Sequence, residues 1–502
     1  MNRKNISSIK PFQTVLIPVS VLCYLVLAAS AQTPIDIGTR LELFVDDCLV
    51  QSMTGLDRIM HAPVPREIVL DHGEPWEGSG TGYHTVFQDG DLYRMYYKAW
   101  HLSVQDDGLK FPHDTLAAYA ESHDGIHWKK PNLGLFEFNG SKENNLIWTG
   151  PGSHDFTPFL DLNPNCQPEA KYKAVASGPG GLIAFHSPDG LRWSRLGKEP
   201  IVTKGAFDTQ NLAFWDTQRG EYRTYIRDFH KDADGKNALR DIRTATSTDF
   251  IHWSDPVWLE YPDVSPLQLY TNQIAPYYRA PHIFIGFPTR YIERGWSDSM
   301  RILPHPSHRR LRAAASERYG TALTDSLLMS SRDGREFHRW EEAFLRPGLR
   351  PVDNWAYGDN YIAWHVVETK SSIEGAPNEL SLYATESYWT GLSSRLRRYT
   401  LRIDGFVSVH AGRCKGQFVT KPIRYDGRQL VLNFSTSAAG WIRVDILDAA
   451  GRVLAKSAEI FGDELERVIT WEGGKDVGRL AQSPVQLRFT MRDADLYSFS
   501  FH

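Results

Sequence analysis

The chain has 502 residues, of which 41% are hydrophobic, and its formal net charge is −4. This length allows two domains with real hydrophobic cores, and a mildly acidic chain argues against nucleic acid as the partner. The 15 tryptophans and 22 tyrosines suit packed β-sheets, and they also suit surfaces on which sugar rings stack.

The first 31 residues have the pattern of a secretory signal peptide. Three basic residues precede an apolar run over residues 15–27, and Ala29-Ser30-Ala31 forms a small-residue cleavage site. Removing this segment takes the formal charge from −4 to −7. The apolar run is short and contains Pro18, and no other stretch is long enough to cross a membrane. We therefore predict a secreted or periplasmic protein without a membrane span.

Three cysteines, Cys48, Cys166 and Cys414, remain after that cleavage. They are far apart and odd in number, so at most one disulfide can form. The stability of the fold must therefore come from buried apolar surface.

One short pattern, the Ser-Asp motif, occurs four times. It reads Ser-x-Asp, usually followed by Gly, with an aromatic residue four positions after the Asp, and it follows an apolar strand-like run. The copies are residues 122–128, 187–193, 247–253 and 331–337. The Asp can accept backbone N–H groups across a tight turn, and Gly tolerates a positive φ. We therefore predict a structural role for Asp124, Asp189, Asp249 and Asp333, and a repeat fold.

Each motif closes a larger unit of strand-like runs. A Tyr-rich run precedes the apolar one, and a further run precedes that. A fifth unit extends over residues 355–389, where the motif has decayed to Glu386-Ser387-Tyr388-Trp389. Four strands in each of five units predict a five-bladed β-propeller over residues 32–399. Residues 40–50 look like a strand, which we expect to close the ring by joining the last blade.

Unit four carries a long insertion, residues 291–319, after its second strand. It contains Trp296 and the basic run His308-Arg309-Arg310-Leu311-Arg312. Long insertions on a rigid scaffold are often functional, so we expect this one on or beside the pocket face. We expect its arginines to be solvated, and no long amphipathic helix is evident in the chain.

From residue 400 to the end, apolar and polar residues alternate strictly. Ile442, Val444 and Ile446 alternate with Arg443 and Asp445, and glycine-containing turns separate several such runs. This pattern predicts a second all-β domain, a β-sandwich over residues 400–502.

Acidic residues precede the first strands of units one to three: Glu77, Asp155 and Asp208. The first strands line a propeller's central channel, so these carboxylates would meet and push one another's pKa values apart. One carboxylate can then stay protonated while another stays charged, as glycosidic bond cleavage requires. The alternative is a structural role, because an Asp before a strand is often a turn acceptor.

Other residues near the strand starts are candidates for binding sugar hydroxyls or stacking on sugar rings. They are Trp76, His84, His154, Gln210, Asn211, Asn272, Trp355 and Asp359. Metal-ligand spacing, phosphate-loop and dinucleotide fingerprints and a Gly-x-Ser-x-Gly context are all absent from the sequence. We therefore predict no redox or organic cofactor and no metal site. A structural calcium ion suits this kind of propeller, but no ligand set demands one.

The five units, the Ser-Asp motifs and the trailing sandwich resemble the five-bladed propeller glycoside hydrolases of families 32 and 43, of the invertase and arabinanase type. The resemblance covers about residues 70–395, and the run from Arg398 onward is similar to the sandwich of family 32 enzymes. It implies a secreted hydrolase that cleaves O-glycosyl bonds in a poly- or oligosaccharide. It also implies one catalytic acid from each of the first three blades, which by position fall on Glu77, Asp155 and Asp208.

Two alternatives stay open. A sialidase-like exo-glycosidase has similar motifs with one more residue between the Asp and the Trp, and it needs an arginine triad for the sugar carboxylate. The arginines on or just after second strands are Arg94, Arg223, Arg227 and Arg290. The other alternative is a propeller that binds glycans without cleaving them. Convergence of two carboxylates within catalytic distance would separate an enzyme from such a binding protein.

Overall fold

The computed structural model describes residues 33–106, 108–262, 264–349 and 354–502. The predicted signal peptide, residues 1–31, lies outside the described residues. Within them, five four-stranded antiparallel sheets follow one another along the chain as the blades of a propeller. The predicted all-β fold with a five-bladed propeller is confirmed. No helix in the described ranges has the length and apolarity needed to cross a membrane.

The strands of each blade run outward from the channel in chain order, except in blade five. Blade one comprises Gly82–Asp89, Leu92–Ala99, Leu116–Ser122 and Leu146–Thr149. Blade two comprises Thr157–Leu160, Tyr172–Gly178, Gly181–Ser187 and Ser194–Arg195, and blade three Leu212–Asp216, Glu221–Lys231, Asn237–Ser247 and Val257–Trp258. Blade four comprises Ala275–Tyr277, Ala280–Gly286, Met329–Ser331 and His338–Arg339, and blade five Val367–Thr369, Glu379–Glu386, Arg395–Leu401 and Val64–Asp71.

The ring is closed by Val64–Asp71, which pairs antiparallel with Arg395–Leu401 as the outer strand of blade five. The prediction that residues 40–50 close the ring is wrong. Side chains of the apolar run there point alternately into two cores, with Leu43 and Val45 against blades four and five and Phe44 in the C-terminal domain. An outer edge strand could not bury both faces in this way.

The Ser-Asp motif forms a tight turn between the third and fourth strands of a blade. In the second copy, the Ser187 hydroxyl accepts the Gly190 N–H at 2.9 Å. Asp189 Oδ1 accepts the N–H groups of Leu191 and Arg192, both at 2.8 Å. The indole N–H of the motif's tryptophan donates to the glycine carbonyl at 3.0 Å. The glycine has φ +77°, in the left-handed region.

The other copies make the same turn. Residues 122–128 repeat these bonds. Residues 247–253 do so with Phe250 in the glycine position at φ +70°. Residues 331–337 keep the hydroxyl and carboxylate bonds. The structural role predicted for the four motif aspartates is confirmed.

Each motif also contacts the blade before it. In three copies, a side chain from the second strand of the preceding blade donates to a motif carbonyl oxygen. These donor and acceptor pairs are Tyr383 and Gly125 at 2.6 Å, Arg94 and Asp189 at 3.0 Å, and Tyr225 and Gly334 at 2.9 Å. In the remaining copy, the Lys173 ammonium lies 5.8 Å from the Phe250 ring centroid. The motif thereby joins neighbouring blades.

The segment Glu386-Ser387-Tyr388-Trp389 is not a decayed fifth motif. It follows the second strand of blade five and leads to the third, whereas the four motifs follow third strands. Blade five takes its fourth strand from residues 64–71, so it has no turn between a third and a fourth strand.

Connections between second and third strands lie at the end of the propeller where the inner strands start, because neighbouring strands are antiparallel. This end is called the channel mouth below. The small ribbon Ser103–Gln105 and Gly108–Lys110 of blade one lies there. The predicted insertion lies at the channel mouth as well. Its strands Thr289–Glu293 and Ala322–Ser326 pair with each other, and between them lie three helices: Asp298–Arg301, Pro306–Ala315 and Glu317–Thr321.

The insertion packs onto the mouth and is not a solvated decoration. Arg309 and Arg312 are 4% and 1% exposed, so the expectation of solvated arginines is wrong for this pair. Arg309 Nη2 donates to the Trp355 carbonyl at 2.5 Å, and Arg312 Nε donates to the Tyr319 carbonyl at 2.8 Å. The amphipathic helix Pro306–Ala315 directs both arginines inward because they stand three positions apart.

The C-terminal domain is built on two long strands, Leu430–Leu447 and Gln486–Phe501, which pair along most of their length. Its other strands are Val407–Ala411, Gly416–Thr420, Ile423–Tyr425, Val453–Lys456 and Asp463–Val468. The pairing is interrupted between Thr436 and Trp441. The two halves of the long strands contribute to one buried core. Short 3-10 turns occur at Pro168–Ala170 and Gly478–Leu480.

Residues 35–60 belong to this second domain. Ile35–Gly38 pairs with Ile423–Tyr425, Glu42–Leu43 with Gln486–Phe501, Val50–Thr54 with Gly416–Thr420, and Asp57–Met60 with Val407–Ala411. The placement of residues 32–60 in the propeller is therefore wrong, and that of residues 400–502 in a separate β-domain agrees with the pairing. Cys48, Cys166 and Cys414 are all free thiols.

We predict that Asp189→Ala lowers the free energy of unfolding by about 2 kcal/mol, because the variant loses a charged acceptor of two backbone N–H groups. Asp189→Asn keeps an oxygen at that place and should lose less. Chemical denaturation measures both, with the exposed Glu199→Ala as a neutral control. Equal stability of the Ala and Asn variants would contradict the proposed role of the carboxylate.

Candidate active site

Asp208 is the carboxylate that faces solvent at the channel mouth. It lies in the loop that leads to the inner strand of blade three, and its side chain is 79% exposed. His154 Nε2 lies 3.4 Å from Oδ1, and Arg227 Nη2 lies 3.9 Å from Oδ2. The surrounding protein opposes ionisation of Asp208, but His154, Arg227 and Lys98 outweigh it, so its pKa lies below the ordinary value. Asp208 is therefore ionised at neutral pH.

Lys98, at the end of the second strand of blade one, is a buried ammonium group among aromatic rings. It is 2% exposed, and its Nζ lies 4.6, 5.0 and 5.5 Å from the ring centroids of Tyr83, Trp100 and Tyr388. It donates to the Tyr388 hydroxyl at 3.1 Å. Burial lowers its pKa to about 7, although Asp208 and Asp155 act in the opposite direction. Lys98 therefore exchanges a proton near neutral pH.

A group of tyrosines, the tyrosine cluster, forms the wall of the mouth. Its members are Tyr83, Tyr270, Tyr291, Tyr357, Tyr361 and Tyr388, and Trp389 and Tyr319 pack against it. The Tyr357 hydroxyl donates to that of Tyr270 at 2.9 Å. Tyr83 and Trp389 have φ values of 56° and 59°, which side chains other than glycine adopt only when the surroundings enforce it. The mouth therefore has a closely packed aromatic wall, in which each tyrosine of the cluster is at most 8% exposed.

Asp155 lies beneath Asp208 and is fully buried. Its carboxylate accepts the Ser177 N–H at 2.9 Å, the Ser177 hydroxyl at 2.7 Å and Asn211 Nδ2 at 3.2 Å. Burial raises the pKa of Asp155 to about 7, and the charge of Asp208 acts in the same direction. The two aspartates are therefore electrostatically coupled, and their pKa values are displaced in opposite directions.

Glu77 lies apart from this pair. Its carboxylate accepts the Tyr97 hydroxyl at 2.7 Å and the Lys130 ammonium at 2.6 Å. Burial raises the pKa of Glu77 against the effect of Lys130. It borders a separate surface recess of about 500 Å³ beside blade one. Neither Asp155 nor Asp208 is among its partners, so the structure brings together two of the three predicted acids.

Two of the predicted binding residues lie inside the fold. His84 is 2% exposed, and its Nε2 lies 3.1 Å from His72 Nε2. Gln210 donates to the His84 carbonyl at 3.2 Å and accepts from Gln273 at 2.8 Å. Gln273 donates in turn to the Ile362 carbonyl. These amides satisfy backbone carbonyl groups of blades one and five in the channel, so the prediction of sugar contact by His84 and Gln210 is wrong.

Asn211 and Asn272 are buried as well. Asn211 is fully buried and holds Asp155, and its amide also donates to the carbonyls of Phe207 and Thr209. Asn272 is 1% exposed and accepts the Ile274 N–H. Both shape the loops that enter inner strands, and the prediction that they contact substrate is wrong.

Trp76, Trp355 and Asp359 also have structural contacts. Trp76 Nε1 donates to Asn145 at 2.7 Å, and Trp355 Nε1 donates to the Gly348 carbonyl at 3.0 Å. Asp359 is fully buried and accepts the backbone N–H groups of Ala356 and Tyr388. Burial raises its pKa to about 7. Asp359 therefore reaches the site only by positioning Tyr388. His154, whose side chain is 30% exposed, lies in the mouth beside Asp208.

Lys98 and Tyr388 were not among the predicted site residues, which lie at the starts of inner strands, and Arg227 was predicted only as a member of a possible arginine triad. The ends of second strands reach the same mouth, and a Lys or Arg there among aromatic residues was the available signal. Of the four arginines considered for a triad, Arg227 alone reaches Asp208. Arg94, Arg223 and Arg290 pair with Asp89, with Glu221 and with Asp325.

No three His, Cys, Asp or Glu side chains in the described ranges are grouped so that they could hold a metal ion. The charges at the mouth are instead Lys98, Arg227 and Asp208, with His154 beside them. The mouth therefore offers an anion, titratable proton carriers and aromatic faces.

No family model matches the chain. Among curated proteins it is similar to the uncharacterized protein Rv1502 of Mycobacterium tuberculosis, 29% identical over 161 residues, and to the uncharacterized protein MT1551 of another strain, 30% identical over 155 residues. Each match covers 31% of this chain and 44% of the relative. The chain thus spans less than half the length of the curated relatives it matches.

Several solved structures resemble the chain. One is named Glycoside hydrolase (13% identity, TM-score 0.42, 67% of this chain and 92% of that chain). Another is an N-acetylgalactosamine deacetylase from F. plautii (13%, TM-score 0.41, 70% and 97%). A third is the GH32 beta-fructofuranosidase BmSUC1 of Bombyx mori (6%, TM-score 0.39, 88% and 94%). At these scores nothing about activity follows, and the five blades are established by the strand pairing of the chain itself.

We predict that Asp155 makes the stability of the protein depend on pH. Its pKa is about 7 in the folded protein and about 3.9 in an unfolded chain, so the folded state binds the proton more tightly. Stability is then lost as pH rises from about 4 through about 7. Asp155→Asn removes this loss. Over that range the free energy of unfolding of the wild type should therefore fall, relative to that of the variant, by at most about 1.4 kcal/mol per pH unit.

Chemical denaturation across this pH range measures the difference. The control is Asp57→Asn, at an exposed position. Its free energy of unfolding should differ from that of the wild type by the same amount at every pH. A constant difference for Asp155→Asn as well would show that Asp155 is ionised throughout.

Proposed function

We propose that the protein is a glycoside hydrolase whose active site is the channel mouth. The observation that supports this best is Asp208, an ionised and solvent-facing carboxylate in an aromatic-walled recess, coupled to the buried Asp155 with its raised pKa. Aromatic faces suit the apolar faces of sugar rings, and a charged carboxylate suits the positive charge that develops on the sugar in glycosidic cleavage.

In this proposal Asp208 acts on the anomeric carbon, either directly as a nucleophile or by activating a water molecule. Arg227 and His154 keep it ionised and fix its orientation. Asp155 is fully buried and cannot touch a substrate. Its role is to hold Asn211 and Ser177 beneath the mouth and to set the local charge. Asp155 is thus a positioning residue, and the catalytic role predicted for it becomes an indirect one.

Glycosidic cleavage also needs a proton donor. We assign this role to Lys98, whose pKa of about 7 leaves a transferable proton at neutral pH. Its ammonium already donates to the Tyr388 hydroxyl, which lies in the wall of the mouth. The proton passes from Lys98 to the Tyr388 oxygen as the Tyr388 hydroxyl proton passes to the leaving oxygen of the sugar.

The proposed substrate is an extracellular poly- or oligosaccharide of plant or algal origin, since the pattern in residues 1–31 is that of a secretory signal. We accordingly propose a secreted or periplasmic protein. The proposal needs no organic cofactor.

A second candidate function is glycan binding without cleavage. One observation favours it: of the three predicted acids, only Asp208 faces solvent at the mouth, since Asp155 is fully buried and Glu77 is 2% exposed beside a different recess. A binding site would use the same aromatic wall and would need no second carboxylate.

We predict that Asp208→Asn lowers hydrolysis of the best glycan in a panel by about 10²–10⁴-fold while the fold is retained, because the variant loses the charge that acts on the sugar. Release of reducing ends measures the rate, and thermal unfolding checks the fold. Asp57→Asn, an exposed carboxylate in the second domain, should be fully active. If the wild type binds a glycan and cleaves none, the binding function replaces the enzymatic one.

We predict that the rate falls as pH rises through about 7, because Lys98 then loses its proton. Lys98→Arg and Lys98→Met should each lower the rate at every pH by about 10²-fold or more and remove the decline, since a guanidinium keeps its proton and a thioether has none to give. Asp155→Asn should keep the decline. If Asp155→Asn loses the decline in rate and Lys98→Arg keeps it, the assignment of Lys98 as the proton donor is wrong.

A further inference from the structure

Three arginines surround the tyrosine cluster at the mouth. The guanidinium carbons of Arg227 and Arg240 lie 5.1 and 5.6 Å from the centroid of the Tyr270 ring. That of Arg318, on the last helix of the insertion, lies 5.9 Å from the Tyr357 ring centroid, and Tyr357 is hydrogen-bonded to Tyr270. Cations over aromatic faces are held in fixed positions before any ligand arrives.

These arginines have few acidic partners. The side chains of Arg240 and Arg318 donate to Gln268 and to the Tyr319 hydroxyl, which are neutral acceptors, and Arg318 is also hydrogen-bonded to Tyr291. Arg240 Nε and Arg318 Nη1 are buried donors that have no acceptor among the residues that the structure describes. Arg227 has one carboxylate within 4 Å, that of Asp208 at 3.9 Å. The guanidinium groups thus have hydrogen-bonding capacity and charge that the chain itself leaves uncompensated.

Further positive charge lies beneath the same wall. Arg312 is 1% exposed, its Nη2 has no acceptor among the described residues, and burial lowers its pKa only to about 10, so it stays charged. Lys98 is partly charged at neutral pH. Asp208 pairs with Arg227 and acts on Lys98, and Asp359 acts on Arg312. Among the described residues, Arg240 and Arg318 have no acidic partner within 4 Å, although the whole chain is acidic.

We propose that the mouth is specific for an acidic glycan, one that carries carboxylate or sulfate groups. This inference rests on the proposed function and specifies its substrate class. A guanidinium donates two parallel N–H groups to a carboxylate or a sulfate, which a neutral hydroxyl cannot accept in that way. The acidic group binds to the guanidinium groups of Arg227, Arg240 and Arg318, while the ring that carries the scissile bond faces Asp208.

The test uses matched pairs of polysaccharides and the full chain. One pair is a uronic-acid polysaccharide and its carboxyl-reduced form, and the other is a sulfated polysaccharide and its desulfated form. Binding by calorimetry and hydrolysis are measured for all four at low and high salt. The acidic member of at least one pair should bind about tenfold or more tightly than its neutral form, and high salt should reduce the difference. The pair that shows the effect identifies carboxylate or sulfate as the recognised group.

Arg240→Gln and Arg318→Gln should each weaken binding of the acidic member about tenfold and leave binding of its neutral form unchanged. The control is Arg443→Gln, because Arg443 also lies over an aromatic ring, that of Trp441 at 4.9 Å, but in the second domain. Thermal unfolding of every variant separates a loss of binding from a loss of folding. Arg240→Lys, which keeps the charge, should restore part of the binding if the first variant proves unstable.

Two results would overturn the inference, and they differ in what they say about the proposed function. Equal binding of acidic and neutral members by the wild type, with Asp208→Asn still inactivating hydrolysis, rejects the acidic specificity alone. No binding or hydrolysis of any glycan rejects the proposed function together with it. Preference for the acidic member that Arg240→Gln and Arg318→Gln leave intact would place recognition elsewhere and likewise reject the inference.

Discussion

The contact between a Ser-Asp motif and the second strand of the preceding blade is the constraint on which the propeller depends. Each motif holds its own turn with a serine hydroxyl and an aspartate. In three of the four, a Tyr or Arg from the neighbouring blade donates to a motif carbonyl, and in the fourth a Lys lies over the ring of Phe250. Five blades can close a ring only if successive blades meet at a constant angle. The repeated turn, with its repeated partner, sets that angle. The same angle sets the width of the mouth at the opposite end of the blades.

The mouth is built where the repeat is least regular. Blade five has no motif turn because residues 64–71 complete it, and its connection between the second and third strands brings Tyr388 and Trp389 to the mouth. Several charged groups are buried around it, and each would be costly without compensation. Asp155 accepts three hydrogen bonds, Asp359 accepts two from the backbone, and Lys98 faces aromatic rings. The compensation is incomplete, because burial still shifts the pKa of each of these three groups to about 7.

The blades could be predicted from the sequence because their signal is local: the motif, the strand before it and the turn chemistry lie within a few residues. The mouth was predicted only in part. Asp208 and His154 precede an inner strand, a position that topology alone identifies. Lys98 and Arg227 lie at the ends of second strands, and only the register of the pairing shows that they reach the same place. Glu77 precedes an inner strand as well, but its partners Tyr97 and Lys130 direct it to another recess.

The path of the chain has a consequence for how the molecule can be divided. The strands within residues 35–60 complete the C-terminal domain, and the next strand, Val64–Asp71, completes blade five. After the third strand of blade five, Arg395–Leu401, the chain returns to the C-terminal domain. Two stretches of backbone therefore cross between the domains side by side. A single proteolytic cut or truncation at either crossing separates residues 35–60 from residues 402–502 and thereby divides the second domain. The propeller is one contiguous segment, residues 61–401, whereas the second domain is assembled from residues 35–60 and 402–502 and could be expressed alone only if these two segments were joined.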